Sequence, residues 1–355
     1  MSNQEQLTIE QIDRQAVNET IADIQTYLQI ENDSRQHEAY TGAVTFIDSL
    51  YEQYTPDMPV ADRMYGKLLG AVGLARAELR YGKDEFSPHI YGGSYEDQVI
   101  ATYHHANHPR GFIANAFRYA TAVNQRRPGT YDREAFIRIP VIGAYHDAIM
   151  GNGRGNDERQ SARLATELMT KLGFTLLADT KTTVAIDATT WDDELKKQSV
   201  NEQKPHLEYQ RLGAVPDLLP IFDRRGPYEG ICVLIEDMSK RLHDQILTRE
   251  AGALGMSLVG VTIDDCLQLV DQSPVLREKY GRMLAGQIPF YESFKPGDPD
   301  LDQYFPGRGD NIVLLREVSD AYNAGRLSAH DTLLVTREYM AKGGQGSFAG
   351  QDFKG

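Results

Sequence analysis

The chain has 355 residues, of which 41% are hydrophobic, 25% charged and 9% aromatic, a composition that excludes disordered, collagen-like and disulfide-scaffold proteins. Its 37 Lys and Arg residues against 51 Asp and Glu residues give a net charge of −14, which argues against broad binding to nucleic acid or to an anionic membrane surface. The sequence contains no run approaching about 18 uninterrupted apolar residues, and its N-terminus is polar and acidic. We therefore expect no membrane span and a cytoplasmic protein.

Apolar residues recur at intervals of three and four along most of the chain, a spacing that predicts helices. The predicted helices cover about 8–29, 40–54, 64–81, 109–124, 139–149, 158–172, 205–222, 228–253, 262–272, 311–324 and 329–340. Convincing alternating strands are almost absent. We therefore expect an all-α fold.

Breaker residues divide this helical pattern into four segments. A loop-rich stretch at 82–95 separates an N-terminal helical region, 1–85, from a central helical domain, 86–285. Many of the Pro, Gly and Asp residues lie between 286 and 309, where a C-terminal helical extension, 286–342, begins. Residues 343–355 are predicted to form a flexible tail.

Cysteine and histidine are distributed very differently. Cys232 and Cys266 lie in apolar stretches without CxxC spacing, so we expect buried free thiols. His104, His105 and His108 fall within five residues. His146 is followed directly by Asp147, after an apolar segment. Imidazole and carboxylate ligands without thiolate suit a borderline or hard divalent cation, so the sequence indicates a metal site with N and O ligands.

A glycine-broken loop follows this pair and leads into the helix predicted at 158–172. Asn156 or Asp157 can cap that helix, and Gly173 ends it. Glu158 and Arg159 thus project from its first turn.

The stretch YHDAIMGNGRGNDERQSARLA, residues 145–165, resembles the core of the small HD-domain metal-dependent phosphohydrolases. Their metal ligands follow the order H…HD…D on an all-helical bundle. Upstream, YHHANH at 103–108 is similar to the YHxxxH pattern before the family's first ligand helix. The resemblance covers about 91–242, and it implies an HD-type bundle with extra N-terminal helices and a C-terminal extension.

The resemblance also implies the metal ligands. It assigns His108, His146 and Asp147 as ligands and His104 as an accompanying position that usually does not ligate, although His105 and His104 compete with His108. The final ligand follows an apolar helix and corresponds to Asp217, with Asp223 and Asp187 as alternatives. Pro216 stands directly before Asp217, where the family more commonly has alanine.

A divalent ion in such a site would lower the pKa of a bound water and polarise a phosphoryl oxygen, which leads to hydrolysis of a phosphoester or phosphoanhydride. The ion is Mn, Zn, Fe, Co, Ni or Mg. Glu158 could orient or deprotonate the attacking water, support a ligating imidazole, or cap its helix. Arg154, Arg159 and Arg110 are candidates to bind the substrate phosphate, because a guanidinium can engage two phosphate oxygens at once. His104 is a further candidate substrate-binding residue.

The leading hypothesis is therefore a phosphohydrolase of a small molecule, with a nucleotide favoured by the resemblance alone. A noncatalytic nucleotide-sensing module is one alternative, and a di-iron HD oxygenase is another. The oxygenase would need further histidines between the HD pair and the final aspartate, where only His206 occurs. Oligomers are common among helical HD proteins, which leaves a homo-oligomer open. The second His-Asp pair, His330-Asp331, is interpreted as a helix start.

Overall fold

A computed structural model describes most of the chain after its first 33 residues. The described residues are 34–81, 89–90, 98–99, 107–148, 156–171, 173–174, 177–192, 197–198, 200–203, 205–240 and 263–342. The helix predicted at 8–29 and the tail predicted at 343–355 lie outside them. Within these ranges, no helix combines the length and apolar character that crossing a membrane requires.

Helices dominate the described residues, which confirms the prediction of an all-α fold. In chain order they are α1 (Ser34–Tyr54), α2 (Val60–Tyr81), α3 (Asn107–Arg126), α4 (Arg133–Tyr145), α5 (Asp157–Lys171), α6 (Thr180–Asp187), α7 (Leu207–Leu218), α8 (Gly226–Lys240), α9 (Ile263–Gln272), α10 (Pro274–Ser293), α11 (Leu301–Tyr304), α12 (Arg308–Asn323) and α13 (Ala329–Ala341). A 3-10 helix, Leu219–Phe222, follows α7. Extended structure in the described ranges is limited to two pairs of two-residue strands: β1 (His89–Ile90) with β2 (Gln98–Val99), antiparallel, and β3 (Trp191–Asp192) with β4 (Lys197–Gln198).

The sequence pattern missed three helices and misplaced another. Helices α6, α10 and α11 were not predicted, and the predicted break at 286–309 begins inside α10. The helix expected at 139–149 instead runs from Arg133 to Tyr145, because the Asp132 side chain accepts a hydrogen bond from the Ala135 N–H (2.9 Å) and caps its start.

The chain forms two compact units that are discontinuous in sequence. The first contains residues 1–79, 109–191 and 198–216, and the second contains 80–108, 192–197 and 217–355. The four segments expected from the sequence stay a prediction. Three of the divisions between the two units fall inside continuous helices, between Leu79 and Arg80 in α2, between His108 and Pro109 in α3 and between Pro216 and Asp217 in α7.

In the first unit, a row of glycines allows α2 to lie close to α4. Gly66, Gly70 and Gly73 are spaced by four and three residues, so they share one face of α2. A Cβ atom at Gly70 would lie 2.5 Å from the Pro140 Cβ, and one at Gly73 would lie 2.7 Å from the Ala144 Cβ. The two helices can therefore adopt this separation only with glycine at these positions.

A hydroxyl group from α1 compensates for the proline inside α4. Pro140 has no N–H, so the carbonyl of Phe136, four residues earlier, lacks its usual helical donor. The buried Tyr51 hydroxyl donates to that carbonyl at 3.2 Å. This bond fixes α1 against α4 and satisfies a buried polar group.

A charged network joins α4 to the start of α6. The Arg138 guanidinium is fully buried and donates to Thr182 Oγ1 and Asp179 Oδ2, each at 3.0 Å. Arg138 also pairs with Glu134, whose second oxygen accepts from Lys181 Nζ at 2.9 Å. The guanidinium is thus compensated by two carboxylates, as a buried charge requires.

The second unit has its own hydrophobic core, built from α8, α9, α10, α12 and α13. Both cysteines lie in this core as buried free thiols, as predicted. Arg308, at the start of α12, donates to the carbonyls of Tyr291 (2.6 Å), Glu292 (2.9 Å) and Phe294 (3.0 Å). These bonds satisfy carbonyl groups around the C-terminal end of α10.

The glycine contacts predict opposite effects for two Gly→Ala changes. Gly70→Ala should lower the free energy of unfolding by about 1–3 kcal/mol, because the new Cβ overlaps α4. Gly286→Ala, at an exposed position in α10 where a Cβ meets no atom within 4 Å, should raise it by about 0.5–1 kcal/mol. Urea unfolding followed by circular dichroism measures both. A Gly70→Ala protein at least as stable as wild type would contradict the packing described.

The network around Glu134 predicts a pH-dependent stability. Burial acts to raise the pKa of Glu134, but hydrogen bonds from Arg138 and Lys181 outweigh it, and the net pKa is lowered from its usual 4.5. The stabilisation is therefore present above that value and is lost as the pH falls through the lowered pKa. We expect Glu134→Gln to reduce stability at neutral pH, with a difference from wild type that shrinks as the solution is made acidic.

The matched control is Glu167→Gln, which changes an exposed glutamate of α5. Urea unfolding at neutral and acid pH gives the comparison. A difference between wild type and Glu134→Gln that is the same at neutral and acid pH would contradict the assigned role.

Candidate metal centre

His146 and Asp147 stand at the C-terminal end of α4. The backbone N–H of His146 donates to the Ile142 carbonyl at 3.0 Å, so this residue caps the helix, and Asp147 follows in the turn. The His146 side chain is 1% exposed. The histidine is therefore held inside the protein at the point where the chain leaves the helix.

One hydrogen bond sets the tautomer of His146. Its Nδ1 lies 2.9 Å from the Gly143 carbonyl oxygen, which can only accept, so Nδ1 carries hydrogen. Nε2 lies 3.0 Å from Asp147 Oδ2. In the neutral ring, the Nε2 lone pair would face a carboxylate lone pair. This contact is favourable when Nε2 is protonated or when both atoms bind the same cation.

An aromatic stack fixes the plane of this imidazole. The Phe112 ring, from α3, lies parallel to it within 29°, with the ring centroids 4.4 Å apart. Gly143 makes the approach of α3 possible, because a Cβ there would lie 2.7 Å from Phe112 Cδ1. The orientation of His146 thus depends on two residues of its surroundings, Phe112 and Gly143.

His108 lies on the face of α3 that carries Phe112, one turn earlier. Its side chain is 7% exposed, and its Nε2 lies 3.5 Å from Asp217 Oδ1. Asp217 is the penultimate residue of α7. His108 is thus positioned by α3 and Asp217 by α7.

Among the described residues, His108, His146 and Asp147 form a group able to hold a cation. One ligand atom from each lies within 4.8 Å of the others. Nitrogen and oxygen ligands about 2.0–2.2 Å from one zinc ion lie at most about 4.4 Å apart, so the observed spacing is close to that of ligands that share an ion. The donor set, imidazole and carboxylate, fits a divalent metal of the kind expected from the sequence.

The two kinds of ligand differ in their exposure. The imidazoles of His108 and His146 are 7% and 1% exposed, whereas the side chains of Asp147 and Asp217 are 28% and 16% exposed. The group is thus open to solvent on its carboxylate side.

The structure describes only two of the four residues predicted to act on the substrate side, Glu158, Arg159, Arg154 and His104. Glu158 lies half-buried in the first turn of α5. Arg159 is exposed, and its Nη2 lies 3.5 Å from Asn156 Oδ1. Arg154 and His104 lie outside the described residues. The catalytic and substrate-binding roles of these four residues stay predictions.

Arg110 is engaged within the first unit. Its Nη2 donates to Glu78 Oε2 at 2.9 Å, and its guanidinium carbon lies 5.3 Å from the centre of the Phe46 ring. This pairing links α3 to α1 and α2. Its predicted contact with substrate phosphate likewise stays a prediction.

The rival residues lie in different settings. His206 is exposed, directly before α7, and therefore about 16 Å along the helix from Asp217. Asp223 accepts a hydrogen bond from the Arg224 N–H at 2.7 Å. Asp187 is the last residue of α6. His105 lies outside the described residues.

The second His-Asp pair is a helix start, as predicted. The Ser328 side chain accepts from the Asp331 N–H (3.0 Å), and the Asp331 carboxylate accepts from the Ser328 N–H (2.8 Å), a complete capping box. His330 is exposed. The aspartate of this second dipeptide thus caps the start of α13.

Comparison with known proteins adds no family assignment. No protein-family model matches the chain, and neither do any curated protein sequences or solved structures.

The geometry predicts that a divalent ion stabilises the protein. Mn²⁺ or Co²⁺ at about 100 times its dissociation constant should raise the free energy of unfolding by about 2.7 kcal/mol, and His146→Ala should abolish that gain. His330→Ala is the matched control and should keep it. The thermal midpoint, measured with and without the ion after treatment with a chelator, gives the answer. An equal shift in wild type and His146→Ala would remove His146 from the site.

Proposed function

We propose that this protein is an HD-type, metal-dependent phosphohydrolase of a small molecule, with a nucleotide as the favoured substrate class. One observation carries the proposal. His108 is distant in the chain from the adjacent pair His146 and Asp147, yet the ligand atoms of the three lie within 4.8 Å of one another, with Asp217 beside His108 at 3.5 Å. These are the four residues that the resemblance to the H…HD…D pattern designates.

The chain's own groups would prepare this site before substrate arrives. The Gly143 carbonyl holds hydrogen on His146 Nδ1 and directs Nε2 towards Asp147. The Phe112 ring prevents rotation of the imidazole plane. A bound divalent ion would supply an activated water and a Lewis acid for the phosphoryl oxygen. The exposed carboxylate side would admit both water and substrate.

Residues at the start of α5 are proposed to act on the substrate side. Glu158 would orient or deprotonate the attacking water, and Arg159 would bind a phosphate oxygen together with Arg154. Arg159 lies exposed on the first turn of α5, the turn that also carries Glu158. Such cationic groups are needed because the chain carries a net charge of −14.

The hydrolase is favoured over a di-iron oxygenase by the position of His206. A second iron would need histidine ligands between Asp147 and Asp217, and the sequence offers only His206 there. That residue is exposed at the far end of α7 from Asp217. The retained set of four ligands favours catalysis over a purely sensory module.

An activity screen tests the proposed function. Metal-stripped protein is resupplied with Mn²⁺, Co²⁺, Ni²⁺, Mg²⁺ or Zn²⁺ and assayed for phosphate release from nucleoside mono-, di- and triphosphates and from p-nitrophenyl phosphate. We expect metal-dependent release that falls at least about 100-fold in Asp147→Asn, because one ligand is lost.

Asp223→Asn, which changes the rival aspartate, is the matched control and should retain activity. Equal activity in wild type and Asp147→Asn would contradict the proposal. Absence of phosphate release, together with an iron-dependent absorption spectrum, would favour the oxygenase instead.

A further inference from the structure

The last turn of α7 contains a carbonyl group that the helix cannot satisfy in the usual way. In an α-helix the carbonyl of residue i accepts from the N–H of residue i+4. For Pro216 that residue is Pro220, which has no N–H. A donor from elsewhere is therefore needed at the peptide that immediately precedes Asp217.

Asn115 supplies this donor from α3. Its Nδ2 donates to the Pro216 carbonyl at 3.2 Å, and the residue is 4% exposed. A buried amide is retained at such a position when its hydrogen bonds are satisfied, and a buried carbonyl left without a partner is costly. The Asn115 amide thus supplies the hydrogen-bond donor that Pro220 cannot provide to the Pro216 carbonyl.

The same face of α3 carries the proposed metal ligand. Asn115 lies seven residues, or about two turns, after His108, and Phe112 lies between them on that face. His108 Nε2 is 3.5 Å from Asp217 Oδ1. Two turns of one helix therefore touch both the side chain of Asp217 and the peptide unit before it.

We infer that Asn115 is a positioning residue for Asp217. By binding the Pro216 carbonyl it fixes the orientation of the Pro216–Asp217 peptide, and thereby the direction in which the Asp217 carboxylate leaves the backbone. This inference rests on the proposed metal site.

Asn124 provides the control for a merely structural asparagine. It lies on α3 and exchanges hydrogen bonds with the backbone of Tyr131 (2.7 Å to the carbonyl and 2.9 Å from the N–H). Its replacement should cost stability without altering the metal site.

The test compares Asn115→Leu with Asn124→Leu in the full chain. Leucine keeps a similar volume and removes the amide donor. Binding of Mn²⁺ and Co²⁺ is measured by calorimetry, and the visible absorption spectrum of bound Co²⁺ reports the ligand geometry. We expect Asn115→Leu to bind either ion 10- to 100-fold more weakly, the range typical for lost second-layer hydrogen bonds, with an altered Co²⁺ spectrum. Asn124→Leu should keep the wild-type affinity and spectrum.

Asn115→Asp is the second variant, because a carboxylate of nearly the same size cannot donate to the carbonyl. It should reproduce the loss of affinity. Wild-type affinity and spectrum in either folded Asn115 variant overturn the inference. Failure of both Asn115 variants to fold also overturns it, because the bond would then hold the fold and not the ligand. Wild-type protein that binds neither ion overturns the proposed function itself, which is a separate and distinguishable result.

Discussion

The close approach of α4 to its neighbours governs where His146 can lie. Gly70 and Gly73 on α2 and Gly143 on α4 remove the side-chain atoms that would otherwise separate these helices. The resulting distance brings the Phe112 ring against the His146 imidazole. Backbone contact between helices usually serves packing alone. In the first unit the close contact between helices also fixes the plane of the His146 ring, through the stack on Phe112. The hydrogen bond to the Gly143 carbonyl fixes its tautomer.

Helical periodicity predicted most of the helices, because the buried face of an amphipathic helix requires apolar residues at intervals of three and four. The main failure was α10, whose interior contains Gly286 and Pro289, residues that normally interrupt helices. The helix persists because packing against α12 and the bonds from Arg308 compensate for its weak intrinsic propensity. A signal for its start was present, since Ser273 followed by Pro274 is a typical cap and first position.

The candidate site was accessible to sequence reasoning only in part. His108, His146, Asp147 and Asp217 could be named because the resemblance to the H…HD…D order of ligands designates them, whatever their distance in the chain. The residues that orient them could not be found in this way. Phe112 acts through a stack and Asn115 through a carbonyl on another helix, and such contacts exist only after folding. The spacing 108, 112, 115 marks one helical face, but it does not say what that face will meet.

The carboxylates of the cluster lie nearer to solvent than its imidazoles. A hydrated cation that arrives from solvent would encounter the oxygen atoms of Asp147 and Asp217 before the nitrogen atoms of His108 and His146. Water molecules could then be exchanged one at a time for protein donors, first hard oxygen and afterwards imidazole. Departure would follow the reverse path. Ion uptake and release would therefore begin and end at the two carboxylates.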